Sequence, residues 1–131
     1  MAATLAGKLQ IKAGQGMLVL NAPAGYLAKL AAELEGISVS AQSAGQSDAL
    51  LLFVSSLAEA AHWFPEAIRA VKVDGLFWVA YPKGSSKVKT DVNRDRLWEA
   101  TKPTGWRPVR QVALDDVWSA MRFRPADQVG K

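Results

Sequence analysis

The residues with the clearest binding chemistry lie between positions 83 and 96, where five basic side chains accompany only two acids. Ammonium, guanidinium and hydroxyl groups donate the hydrogen bonds that hold phosphate or carboxylate. The start of a predicted helix at Arg94 adds partial positive charge. The alternative is a solvated basic loop in which Asp91 and Asp95 pair with neighbouring cations. We favour a loop that binds an anionic ligand through Lys83, Ser85, Ser86, Lys87, Lys89 and Arg94.

Composition excludes most other site chemistry. The chain has no Cys and one His, which excludes thiol nucleophiles, disulfides, Cys-based zinc or iron-sulfur sites and multi-His metal sites. His62 lies in no nucleophile motif, and we interpret it as a surface or packing residue. Asp115 and Asp116 suit metal binding or acid–base work, but adjacent acids also suit a hairpin turn, which we favour. We predict no catalytic residue and no metal site.

Five tryptophans, at positions 63, 78, 98, 106 and 118, are candidates for stacking on nucleic-acid bases. We assign Trp78, in an apolar run, and Trp98, on a helix face, to the core. The roles of Trp106 and Trp118 stay open.

The net charge of +4 is unevenly distributed along the chain. Residues 1–82 carry five basic and six acidic groups, whereas residues 83–131 carry eleven and six. This excess favours an anionic partner, for which we expect a small ligand. The alternative partner is a nucleic acid, with phosphates neutralised by Lys87, Lys89, Arg122 and Arg124.

The length of 131 residues predicts a single domain, residues 1–131. The chain contains no apolar stretch of membrane-spanning length and no apolar signal segment. We therefore expect a cytoplasmic protein with no membrane contact. The sequence does not indicate its oligomeric state.

The pattern of apolar residues predicts alternating strands and helices. Short apolar runs bounded by turn residues indicate buried strands, and spacings of three and four indicate amphipathic helices. Pro65 suits the first turn of a helix better than its interior, so we predict two helices there. We predict strands at 17–20, 37–40, 49–54 and 76–81, helical segments at 5–9, 26–34, 57–63, 65–71 and 94–102, a turn at 74–75, and a terminal hairpin of 107–114 and 117–124.

The predicted order brings two loops to one edge of a parallel sheet. The turn at 21–25 follows the first strand, and the loop at 83–92 follows the fourth. Ligands of open α/β sheets bind at the carboxyl ends of the strands, near the point where strand order reverses. We therefore add Asn21, Gly25 and Tyr81 to the predicted ligand-binding residues.

Two stretches resemble known families. The run AIRAVKVDGLFWV at residues 67–79, with the order of elements and the closing hairpin, resembles the class I methyltransferase fold. The run YPKGSSKVKTDVNRD at residues 81–95 is similar to the signature of a family of small bacterial proteins of unknown function. The resemblance implies a truncated, three-layer Rossmann-like α/β fold with a mostly parallel sheet of about six strands and a C-terminal antiparallel hairpin.

The sequence departs from working class I methyltransferases at their cofactor motif. Aligned on Gly25, Val19 stands where those enzymes have an acid, and Asn21 and Pro23 replace two of three glycines. Residues 38–42 offer no carboxylate for the ribose of the cofactor. The chain is also one strand–helix unit shorter than the full fold.

These departures predict a methyltransferase-like domain that has lost the usual cofactor fingerprint and binds an anionic ligand or partner through the 83–94 loop. We predict no cofactor. The alternative is an S-adenosylmethionine-dependent methyltransferase with a divergent cofactor site. The residues favour a non-catalytic role, and methyl transfer is the activity to expect if the protein is an enzyme.

Overall fold

The computed structural model describes residues 5–34, 36–41, 45–83 and 90–128. Within these ranges, strands and helices alternate as predicted. The elements are α1 (Leu5–Leu9), β1 (Gly16–Leu20), α2 (Tyr26–Glu33), β2 (Ser38–Ser40), β3 (Ser47–Phe53), α3 (Leu57–Ala70), β4 (Val71–Pro82), α4 (Arg94–Thr101), a 3-10 turn (Lys102–Thr104), β5 (Trp106–Ala113), β6 (Trp118–Pro125) and a second 3-10 turn (Ala126–Gln128).

The six strands form one sheet in the order β2-β1-β3-β4-β6-β5. The pairs β1–β2, β1–β3 and β3–β4 are parallel, and β6 runs antiparallel to both β4 and β5. This confirms the predicted Rossmann-like sheet with an antiparallel finish. Only six residues, 41–46, separate β2 from β3, which is too short for a crossover helix.

Helices cover both faces of the sheet, which gives three layers. On one face α1 and α2 bury Leu9 and Leu30 against the sheet. On the other face α3 and α4 bury Phe64 and Leu97. The central strand β3 is therefore buried on both sides, which explains its continuous apolar run over residues 49–53.

Trp78 confirms its predicted place in the core. It is fully buried in β4, and its indole Nε1 donates to the carbonyl of Leu9 at 3.0 Å. This bond satisfies the one polar atom of the side chain.

The prediction of two helices around Pro65 is wrong. Helix α3 is continuous from Leu57 to Ala70 with Pro65 inside it. Both Pro65 and Ala61, whose carbonyl loses its intrahelical donor, are exposed residues on the outer side of the helix. Burial of Phe64 and Ala67 on the opposite face holds both turns against the sheet.

The predicted turn at residues 74–75 is also wrong, because β4 extends from Val71 to Pro82. Its pairing with β3 passes from Ser47–Val71 to Ala49–Leu76, so extra residues of β4 bulge out of the ladder. Gly75 lies in this bulge. A Cβ atom at this position would lie 2.9 Å from the Lys72 carbonyl oxygen.

The C-terminal part follows the sequence prediction more closely. Asn93 caps α4 by accepting the backbone N–H of Arg96 at 2.8 Å. The predicted hairpin is present, although residues 114–117 connect its strands rather than residues 115–116 alone. Within the described residues, none of the helices has both the length and the apolar character needed to span a membrane.

Candidate functional site

Three parallel strands end at one edge of the sheet, at Leu20 of β1, Phe53 of β3 and Pro82 of β4. Strand order reverses between β1 and β3, because β2 and β3 lie on opposite sides of β1. A cavity of about 340 Å³ opens at this point. We call it the switch-point crevice; it is lined by Asn21, Ala22, Pro23, Phe53, Val54, Ser55, Glu59 and Trp118.

Asn21 connects the two strand ends that flank the crevice. Its backbone is left-handed, with φ of 58°, a conformation that asparagine tolerates better than most residues. Its side-chain Nδ2 donates to the Phe53 carbonyl oxygen at 2.8 Å. The amide therefore bridges the ends of β1 and β3 across the crevice.

Glu59 supplies a negative charge beside this amide. Its Oε1 accepts the backbone N–H of Ser55 at 2.6 Å and the Ser55 hydroxyl at 2.8 Å. The Ser55 N–H lowers the pKa of Glu59 most, and the Ser55 hydroxyl and the Asn21 amide lower it further against the opposing effect of burial. Glu59 is therefore ionised at neutral pH, and an anion inside the crevice is disfavoured.

Aromatic rings form the wall of the crevice. The Phe53 ring meets the Tyr26 ring edge-to-face at 4.8 Å and the Trp118 ring at 5.1 Å. Asp115 accepts the Tyr26 hydroxyl at 2.7 Å, and its other oxygen accepts the backbone N–H groups of Val117 and Trp118. The hairpin connection and α2 are thus tied together behind the crevice.

Two residues of the 83–94 segment, Lys83 and Thr90, attach to the rim of the crevice. The Lys83 N–H donates to the Val117 carbonyl at 2.7 Å, next to Trp118. The Thr90 hydroxyl donates to the Ser55 carbonyl at 2.7 Å. Lys83 and Thr90 are therefore both held beside crevice residues.

Side chains accept two of the first N–H groups of α3. Asp91 Oδ1 accepts the Leu57 N–H at 2.8 Å, and the Ser56 hydroxyl accepts the Glu59 N–H at 3.1 Å. These side chains fill the donors that a phosphate would otherwise use. Asp91 thus caps α3.

The structure separates the predicted ligand-binding residues. Asn21 lines the crevice, and Gly25 caps α2 with φ of 79°. Tyr81 is buried on the α3–α4 face, where burial raises the pKa of its hydroxyl. Lys83 is half-buried at the rim. Ser85, Ser86, Lys87 and Lys89 lie outside the described residues.

Arg94 lies away from the crevice, at the start of α4. It is exposed, its Nε lies 3.7 Å from Asp95 Oδ1, and it lines a separate cavity of about 360 Å³ between α4 and β5. We call this cavity and its continuation along α4 the α4–β5 groove. Trp98 also lies there and belongs to neither core cluster, so its assignment to the core is wrong. Leu97 and Thr101 occupy the buried helix positions instead.

The remaining tryptophans and His62 have packing roles. Trp106 packs edge-to-face on Phe77 at 5.5 Å, and Trp63 of α3 is partly buried against the core. His62 is exposed and contacts the Trp63 ring at 5.3 Å. Within the described ranges, no group of three or more potential metal-ligating residues occurs.

Sequence reasoning missed Ser55, Glu59 and Trp118 as crevice residues. A signal for Glu59 was present, since Ser56 and Glu59 have the spacing of a helix capping box, which places Glu59 at the first turn after β3. Trp118 is brought there by the antiparallel pairing of β6 with the end of β4, at Pro82.

No family model matches the chain, and no curated protein is similar to it. Solved structures are similar. A SAM-dependent methyltransferase from Aquifex aeolicus aligns with a TM-score of 0.59 and 13% identity over 86% of this chain and 82% of that one. A fibrillarin/Nop5p complex aligns with a TM-score of 0.53 and 10% identity over 88% and 74%. The chain has a methyltransferase-like fold.

A third structure of this fold shows the difference in size. The pyocyanin biosynthetic protein PhzM aligns with a TM-score of 0.55 and 13% identity over 85% of this chain, but over only 50% of its own. At such identities the similarity extends to the fold alone.

Proposed function

We propose that this methyltransferase-like domain is a ligand-binding module that recognises an anionic ligand through its 83–94 segment. We further propose that it does not hold S-adenosylmethionine in the mode usual for the fold. The observation that carries the proposal is the Asn21 amide, which bridges the ends of β1 and β3 where the fold leaves room for a ligand.

The crevice residues do not fit the usual cofactor mode. Glycines after β1 would let a ligand approach the backbone closely, but Asn21 and Pro23 line the crevice at those positions. The Asn21 donor is already used by Phe53, and Glu59 Oε1 is already bonded by Ser55. At the end of β2, residues 38–40 provide no carboxylate for ribose hydroxyls.

The charges beside the crevice support an anionic ligand at the rim. Glu59 disfavours an anion inside the crevice, whereas the adjoining segment carries an excess of lysine and arginine. The backbone of Lys83 is anchored at Val117 and the Thr90 hydroxyl at Ser55, so both anchors leave the basic side chains of the segment to contact a ligand. The proposed contacts are Lys83, Ser85, Ser86, Lys87 and Lys89, with Arg94 beyond the second anchor.

A thermal-shift series tests this proposal. The compounds are inorganic phosphate, AMP, ATP, S-adenosylmethionine and S-adenosylhomocysteine, each at low and moderate salt. A ligand at a hundred times its Kd stabilises the folded state by about 2.7 kcal/mol. We expect phosphate-bearing compounds to stabilise the protein and the two adenosyl compounds to have no effect.

Paired variants locate the effect. Lys87→Ala with Lys89→Ala should abolish the anion response, whereas Lys12→Ala with Arg69→Ala removes the same charge from distant exposed positions and should preserve it. Stabilisation by an adenosyl compound alone would overturn the proposal in favour of a divergent methyltransferase. An unchanged anion response in the first variant would make the segment purely structural.

A further inference from the structure

The α4–β5 groove combines one indole ring with four cations. Arg94, Trp98 and Lys102 are spaced four residues apart, so they follow one face of α4 and the turn after it. Trp98 separates two cavities of about 360 Å³ each. Arg94 and Arg110 line the first cavity, and Lys102 and Arg107 line the second.

The cations surround the indole closely. Lys102 Nζ lies 5.2 Å from the Trp98 ring centroid, and Arg107 Cζ lies 6.0 Å from it. The ring is only partly buried, and among the described residues its buried Nε1 has no hydrogen-bond partner. Because Nε1 is itself buried, a ligand would contact the exposed part of the ring and not this donor.

The positive charge of the groove is poorly neutralised. Arg107 and Arg110 are exposed, and in the part of the chain that the structure describes neither has a carboxylate at ion-pair distance. Arg94 and Lys102 pair with Asp95 and Glu99, but both pairs are exposed and such pairs contribute little.

The pairing of β5 with β6 places Arg107 opposite Arg124 and Arg110 opposite Arg122. Arg122 Nη1 donates to the side-chain oxygen of Gln10, next to α1 on the other face of the sheet. The charge that the hairpin brings to the groove is therefore that of Arg107 and Arg110.

We propose that the α4–β5 groove binds single-stranded nucleic acid, with an unpaired base stacked on Trp98 and phosphates on the flanking cations. Basic side chains on both sides of an aromatic ring are the usual combination for single strands. Arg94 and Lys102 lie roughly 12 Å apart along the helix, given its rise of about 1.5 Å per residue. At about 3.4 Å per phosphate, this length accommodates about three stacked nucleotides.

Fluorescence anisotropy with a labelled single strand of about twelve nucleotides measures the binding. Four phosphate contacts predict a slope of about −2.8 in log affinity against log salt, at about −0.7 per contact for single strands. Arg107→Ala with Arg110→Ala should reduce that slope to about −1.4. The charge-matched control, Lys12→Ala with Arg69→Ala, should leave it unchanged.

Trp98 variants test stacking separately from charge. Trp98→Leu should weaken binding about 5- to 150-fold, which corresponds to a loss of about 1–3 kcal/mol of base stacking. Trp98→Phe keeps an aromatic face and should restore most of the affinity. Thermal unfolding of each variant shows that the fold is retained.

The proposal would be overturned if the full chain did not bind the single strand, or if the groove variant and its control lost equal affinity. It would also be overturned if Trp98→Leu bound as tightly as the unaltered protein. Competition by AMP or by a duplex as strong as by the single strand would have the same consequence. Loss of binding in the Lys87 and Lys89 variant alone would also overturn it, because the strand would then lie on the 83–94 segment. The proposal does not rest on the proposed function.

Discussion

Replacing Asp115 by alanine removes the acceptor of four hydrogen bonds at once. Its Oδ2 accepts the Tyr26 hydroxyl at 2.7 Å and Lys29 Nζ at 3.3 Å. Its Oδ1 accepts the backbone N–H groups of Val117 and Trp118, each at 2.8 Å. The carboxylate thereby fixes the hairpin connection and joins it to α2.

The size of the effect follows from these partners. Lys29 is 46% exposed and contributes little. The other three donors lose a charged acceptor in a half-buried setting, at about 1 kcal/mol each, so Asp115→Ala should destabilise by about 3 kcal/mol. Asp115→Asn retains one carbonyl oxygen for the backbone donors and should cost about 1 kcal/mol.

Urea unfolding of both variants measures these differences, with Asp116→Ala as the control. Asp116 is the exposed neighbour in the same connection, and its removal changes the net charge equally. We expect a change below about 0.5 kcal/mol for it. A double-mutant cycle of Tyr26→Phe with Asp115→Asn isolates the hydroxyl–carboxylate bond.

The pH dependence provides a second test. Burial has the largest effect and raises the pKa of Asp115, but the bonds from Tyr26, the two backbone N–H groups and Lys29 together lower it below its ordinary value. Asp115 therefore stabilises the fold above its unfolded pKa of about 3.9, and this contribution disappears as pH falls through the lower folded pKa. Equal costs for Asp115→Ala and Asp116→Ala, or a gap that widens in acid, would refute the reasoning.

Three further predictions concern the sheet and its carboxyl edge. Gly75→Ala should destabilise by about 2 kcal/mol in urea unfolding, because the new Cβ meets backbone oxygens, whereas Gly16→Ala, with its nearest contact at 3.9 Å, should cost less. Asp91→Ala should lower the free energy of unfolding by about 1 kcal/mol, because the cap on α3 is lost. The control, Asp95→Ala, should change it very little. Equal decreases of Tm in the two variants would contradict the capping role of Asp91. Asn21→Asp, an isosteric change, should destabilise the fold by about 2 kcal/mol at neutral pH, because a carboxylate then faces the Phe53 carbonyl and Glu59. The loss of stability should decrease as pH falls and the carboxylates become protonated.

The strands could be predicted from the sequence because burial on both faces leaves a continuous apolar run, as in β3. The helix boundary at Asn93 was equally accessible, since its cap depends on one local side chain. Pro65 and Gly75 were misjudged because their local preferences for helix starts and turns are overridden by packing. Neighbouring elements decide whether the proline faces water and whether the glycine lies beneath a carbonyl.

The candidate sites were less accessible to sequence reasoning. Asn21 could be located because it directly follows a strand, but its bond to Phe53 depends on the adjacency of β1 and β3. The α4–β5 groove depends on which side of the helix meets the edge strand β5, which begins at Trp106, after the 3-10 turn that follows the helix. Trp98 was assigned to the core because it lies on a helix face. Leu97, one residue earlier, takes the buried position instead, and the sequence does not distinguish the two.

Residues 83 and 90, inside the 81–95 motif, are each anchored to the rest of the fold. The chain can therefore be cut between them without removing either anchor. Cutting the backbone between these anchors would leave the N-terminal piece with β1 to β4 and the C-terminal piece with α4, β5 and β6. The pieces would still share the β4–β6 ladder, the bond from Lys83 to Val117 and the Asp91 cap on α3. We therefore expect two separately produced fragments to reassemble into the same fold. Recovery of that fold would then show that both fragments are present.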